Sequence, residues 1–160
     1  MTTLEQLDDQ IVATFPDVTI DRAAIDESSS LRDVYDDYRE LSMLVGKSWR
    51  EVPTDFLVRH SSLLVYAGYA LFRALLPAYL RYLLHQRDWF NDLPFQVASQ
   101  LTRKDDVESH PKFDRRASEL TLPQRAVVRD VLAVLATVWP LERPMSLALA
   151  TWTELARQER

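Results

Sequence analysis

Apolar residues recur at helical spacing along most of the chain, and their densest run predicts a helix over residues 69–85. Within it Phe72, Leu75, Leu76, Tyr79, Leu80 and Leu83 fall at i, i+3, i+4, i+7, i+8 and i+11, the stripe of a buried helix face. Tyr69, Leu71, Tyr82 and Leu84 extend that stripe nearly round the cylinder. A helix apolar on most sides is central, with others packed on several faces. Pro77 interrupts the run and predicts either a kink or the first turn of a helix starting near Leu75.

Around this centre the pattern predicts further helices. Thr2 or Thr3 caps the first, with Glu5 or Gln6 completing a capping box and Leu4, Leu7, Ile11, Val12 and Phe15 facing inward. Residues 18–29 have weak periodicity and predict a loop, with at most a short helical turn at Ala23–Ile25. Ser30 caps the next helix, which buries Leu31, Val34, Tyr35, Tyr38, Leu41 and Val45 and stops at Gly46. Val52-Pro53 enforces an extended approach to a helix capped by Thr54, carrying Phe56, Leu57, Leu63 and Leu64 and separated from the central helix by Gly68.

In the second half, Asn91 or Asp92 caps a short helix through Val97, Ala98 and Leu101, and Trp89 and Phe90 fold back on the core. Residues 102–112 mix charges without a stripe and predict an exposed loop, followed by a short turn at 113–120. Thr121-Leu-Pro-Gln124 is a strong start signal for a helix to Val138, and a last helix begins near Pro144. Strand signals are nearly absent. The expected fold is all-α: one domain over residues 1–160, a bundle of six to seven helices around 69–85.

A membrane span is the rival reading of residues 61–84, which carry only Arg73 and Arg81 as charges. Arg73 sits mid-segment, where a bilayer centre would cost about 2.5–3.5 kcal/mol, and Pro77 adds about 3 kcal/mol. The membrane reading is rejected. The N-terminus has neither a basic nor an apolar targeting region and there are no cysteines, so a cytoplasmic location is expected and thiol chemistry is excluded. With two glycines, Gly46 and Gly68, no phosphate-cradling loop can be written.

The net charge of −5 is unevenly spread. Residues 1–55 hold 13 acids and five bases, a balance of −8, whereas residues 56–160 hold 11 acids and 14 bases, a balance of +3. Nucleic acid is disfavoured as a partner, since phosphate binding needs clustered Lys and Arg. A basic protein is the partner that fits. Asp33, Asp36, Asp37 and Glu40 share one helix face and form its candidate binding surface.

Candidate chemistry is sparse. Asp36-Asp-x-x-Glu40 superficially resembles a diphosphate-metal motif, but no second carboxylate-rich helix completes it, so neither a metal nor a cofactor is expected. His60, His85 and His110 have no partner at i+3 or i+4, and His60-Ser61-Ser62 cannot face one another on a helix. Arg73 stands out because a guanidinium on a broadly apolar helix needs oxygens around it. It pairs with an acid between Asp33 and Glu40, reaches solvent, or binds a ligand carboxylate. Trp49, between Gly46 and Pro53, is expected to pin a loop against the central helix.

Trp49-Arg-Glu-Val-Pro53 with Leu57, followed by Phe72-Arg-Ala-Leu-Leu-Pro-Ala-Tyr-Leu80, resembles a bacterial family catalogued as a domain of unknown function. Its members carry a Trp-x-x-Ile/Val-Pro turn and then a Phe-Arg-Tyr-x-Leu-Pro-Ala-Tyr-Leu segment. Phe113-Asp114 with Arg115 or Arg116, then Leu120-Thr-x-x-Gln124-Arg125, is similar to that family's C-terminal half, so the likeness spans residues 40–138. The resemblance implies a relative and not an activity, and it transfers no catalytic residue. Two functions are expected as alternatives: a non-enzymatic interaction domain, immunity- or antitoxin-like, that presents an acidic face to a basic protein, or a ligand binder or enzyme with a pocket around Arg73.

Overall fold

The computed structural model describes residues 3–28, 38–85, 92–104, 107–140 and 143–158. Among them the chain is all-α, as the spacing predicts. The helices are α1 (Leu4–Thr14), α2 (Arg22–Glu27), α3 (Tyr38–Ser42), α4 (Thr54–Arg59), α5 (Leu63–Tyr66), α6 (Tyr69–His85), α7 (Leu93–Gln100), α8 (His110–Ser118), α9 (Leu122–Val138) and α10 (Arg143–Leu155). Short 3₁₀ turns occupy Trp49–Glu51 and Val107–Ser109.

α6 is the centre. Leu71, Phe72, Leu75, Leu76, Tyr79, Leu80, Leu83 and Leu84 are all buried, and α1, α2, α4, α5, α8, α9 and the Trp49 turn pack against it. Pro77 lies inside one continuous helix, which rules out a start near Leu75. Its missing N–H removes only the bond that Arg73 C=O would otherwise accept. α9 and α10 pair closely, α9 lies on α1 and α10 on α7, so the C-terminal helices close the core around the central one.

Capping decides the helix starts. Thr3 with Gln6 and Thr121 with Gln124 form the two predicted capping boxes. Ser48 with Glu51 forms a third, and Asp21 Oδ1 accepts the Ala24 N–H at 2.7 Å. That last cap, with Ala24 and Ile25 buried, turns part of the expected 18–29 loop into α2. Gly46 has φ +84°, as a left-handed stop requires, and its N–H donates to Ile20 C=O at 2.8 Å. The described part of its helix is shorter than expected: α3 ends at Ser42, turns follow, and Leu44 is buried where Val45 was expected. Ser30 and the stretch to Asp37 lie outside the described residues, as do Trp89 and Phe90.

Two further differences bear on function. The helix expected after Pro53 breaks at His60–Ser62 into α4 and α5, so the carbonyls of two short helix ends need donors. The expected 102–112 loop instead contains the second 3₁₀ turn and the start of α8, where Pro111 suits a first turn.

Candidate functional site

Of the four acids assigned to a binding face, Asp33, Asp36 and Asp37 lie outside the described residues. Glu40 is an internal brace. Its Oε1 accepts from Arg59 Nη1 at 3.1 Å, and its Oε2 lies 2.6 Å from His60 Nε2. His60 is buried, its ring 4.3 Å from that of Phe56, and its carbonyl accepts the Tyr79 hydroxyl at 2.5 Å. Glu40 therefore ties α3 to α4 and α6. Ser61 turns to the Gln96 side chain rather than to His60, so the Ser–His adjacency of the sequence is not brought together.

Other carboxylates in the first third reach solvent. Glu5, Asp9, Asp17, Asp21, Asp26, Glu27, Glu51 and Asp55 are exposed, against Arg22, Arg39 and Arg50 among the bases of described residues 3–55. Glu5 and Asp9 stand at i and i+4 on α1 and share its outer face.

Arg73 is half exposed, with Nη1 3.9 Å from Glu119 Oε2 on the segment after α8. The small pocket beside it, about 160 Å³, is lined by Pro16, Val18, Ile20, Asp21 and Ala70 among others, and no histidine among the described residues lines it. Asp21, its acid, already caps α2.

Two to three turns of α6 further on, Arg81 and His85 line a larger cleft of about 420 Å³ with Trp49, Arg50, Val52, Thr54, Leu57, Ala78 and Tyr82. Asp8 of α1 accepts from Arg81 Nε at 2.7 Å and Nη2 at 2.9 Å, a bidentate pair, and its Oδ1 lies 3.2 Å from His85 Nε2. The Arg81 hydrogen bonds hold the Asp8 carboxyl below its ordinary range against the opposing effect of burial. Trp49 is buried, and its indole N–H donates to Pro16 C=O at 3.2 Å, so the pinning that its position suggested ties the 3₁₀ turn to the loop after α1 as well as to α6.

Among the described residues the buried guanidinium groups are elsewhere, on Arg116 and Arg125. Arg116 donates from Nη2 to Val65 C=O at 3.0 Å and to Ala67 C=O, and lies over the Phe72 ring. Burial pushes it down to about 10. Lys112, itself exposed, reaches the same Val65 carbonyl with Nζ at 3.0 Å, and partial desolvation of the ammonium there lowers it too. Arg125 Nε serves Ala117 and Leu120 carbonyls at 3.1 and 3.0 Å. Each guanidinium thus completes a helix C-terminus, where free carbonyls and the dipole favour a cation. The sequence pattern carries no signal for this, since the acceptors at Val65, Ala67, Ala117 and Leu120 are helix ends that the spacing does not mark.

A family model described as "Family of unknown function (DUF6714)" matches residues 3–156. That extends the sequence resemblance to nearly the whole chain. No curated protein and no solved structure matches.

Proposed function

The chain belongs to this family of unknown function, and from that premise we propose that it is an interaction domain offering an acidic surface to a basic protein, as an immunity or antitoxin-like protein does to a toxin. What supports the reading is the excess of exposed carboxylates over exposed bases in the first third, eight against three among described residues 3–55. Exposed like charges repel one another in the folded state. Their use is to steer an oppositely charged partner and to reject like-charged ones. The rival pocket around Arg73 has less support, because Arg73 faces Glu119 at a half-exposed position and no histidine among the described residues joins it.

The test is affinity capture from the native host's lysate at low and then moderate salt, using wild type and two charge variants. One carries Asp33→Asn, Asp36→Asn and Asp37→Asn; the other carries Glu5→Gln and Asp9→Asn. Glu40 is left intact, since its loss would remove the acceptor for Arg59 and His60 and confuse folding with binding. A basic protein retained at low salt, released as screening shortens the reach of charge to about 8 Å, and lost by at least one variant is the expected outcome. Equal capture by both variants removes the acidic surface from consideration.

A further inference from the structure

The cleft between the Trp49–Leu57 segment and α6 has a chemistry opposite to that of the acidic surface, and we infer that it binds a small anion with a flat apolar body, an aromatic carboxylate or phosphate monoester. Arg50, Arg81 and His85 all line it, and among the described residues no Asp or Glu does, although the chain as a whole carries −5. The two acids that neutralise these cations, Asp8 and Asp17, are not among the lining residues. The positive groups are thus held from outside the space in which a ligand would sit.

They are also held in fixed positions. Asp8 engages Nε and Nη2 of Arg81, leaving Nη1 for an anion, and the same carboxylate lies against Nε2 of His85, leaving Nδ1. Arg50 donates to Val12 C=O at 3.4 Å and lies 5.1 Å from the Trp49 ring centroid. Cations already ordered by other contacts lose less freedom when a ligand arrives. Trp49, Leu57, Ala78 and Tyr82 supply apolar wall, and about 420 Å³ falls in the range of small-molecule sites. A planar body on the half-buried Tyr82, against the edges of the buried Trp49, Leu57 and Ala78, has its charge toward Arg81 and Arg50. Carboxylate and phosphate both suit a guanidinium fork.

The experiment is an amide-shift and calorimetric titration of the full chain with benzoate, phenyl phosphate, inorganic phosphate and neutral benzamide. At least one aromatic anion is expected to bind saturably with Kd of about 1 mM or tighter. Amide shifts should concentrate in residues 49–57 and 78–85, and the tighter of the two anions identifies the headgroup. Arg50→Gln and His85→Gln should each weaken binding about tenfold, the order expected for one charge-assisted hydrogen bond. Arg73→Gln should leave it unchanged. Absence of saturable binding by both aromatic anions, shifts centred elsewhere, or an Arg50→Gln variant with wild-type affinity overturns the site. Binding of benzamide or inorganic phosphate as tight as that of the aromatic anions overturns the ligand class. The shift map needs no variant, so it decides the matter even if a substitution unfolds the chain.

Discussion

Asp8 gives the fold a calculable response to acid. Its carboxyl is held below the ordinary range by hydrogen bonds from Arg81, with His85 adding to the effect. A carboxyl whose pKa is depressed in the folded state stabilises that state above its unfolded pKa, and the contribution disappears as pH falls through the folded value. Asp8→Asn should therefore cost about 1 kcal/mol at neutral pH, a figure kept small because Arg81 is partly solvated. In urea unfolding at about pH 7 and about pH 3, the gap between wild type and variant should narrow at the lower pH. A gap that stays constant would show that Asp8 acts through packing instead. Charge placement was harder to read from sequence than this consequence of it. Arg73 drew attention because its helix is apolar, yet its own position lies on the narrow strip that reaches solvent. Arg116 and Arg125 look like ordinary surface residues in sequence and are buried because distant carbonyls at Val65, Ala67, Ala117 and Leu120 await donors. That demand comes from tertiary placement, which spacing does not encode.

Helices with a cap and a long apolar stripe were legible, and those made by packing were not. α9 shows the first kind: Thr121 Oγ1 accepts the Gln124 N–H, and Gln124 Oε1 accepts the Thr121 N–H at 2.9 Å. Gln124 also donates to Thr14 C=O at 3.3 Å, so the cap joins the start of α9 to the end of α1. Thr121→Ala should destabilise by about 1 kcal/mol. For a chain of this size that lowers Tm by roughly 2–4 °C, measurable by thermal unfolding followed by circular dichroism. An unchanged Tm would mean that Pro123 and packing alone fix the helix start. α2 and α8 show the second kind. Each buries only two residues, Ala24 and Ile25 in one and Arg116 and Ala117 in the other, so neither writes a stripe long enough to count. The candidate cleft was hidden for a related reason. Arg81 and His85 stand at i and i+4 on α6, but their partners Asp8, Trp49 and Arg50 come from two other elements.

At the scale of the whole molecule, the apolar stripe of α6 correctly located the centre of the core, but one tryptophan at the far end of the chain decides whether the C-terminal layer stays closed. Trp152 of α10 is almost wholly buried, its indole N–H donates to Leu101 C=O at 2.7 Å, and its ring meets Phe113 of α8 edge-on at 6.2 Å. It thus joins α10 to the end of α7 and to α8, while α9 packs on α10 from the other side. Trp152→Ala removes a large buried ring and leaves the Leu101 carbonyl without that donor, a loss of about 3–5 kcal/mol. Domains of this kind hold only about 5–15 kcal/mol in total, so the variant should unfold at much lower urea. Trp152→Phe retains most of the ring contact and loses the hydrogen bond, and should cost about 1–3 kcal/mol. Comparison of the two midpoints separates packing from hydrogen bonding. If both variants cost the same, the indole donor rather than the buried ring holds α10 in place, and the C-terminal layer is closed by a polar latch on an otherwise replaceable apolar contact.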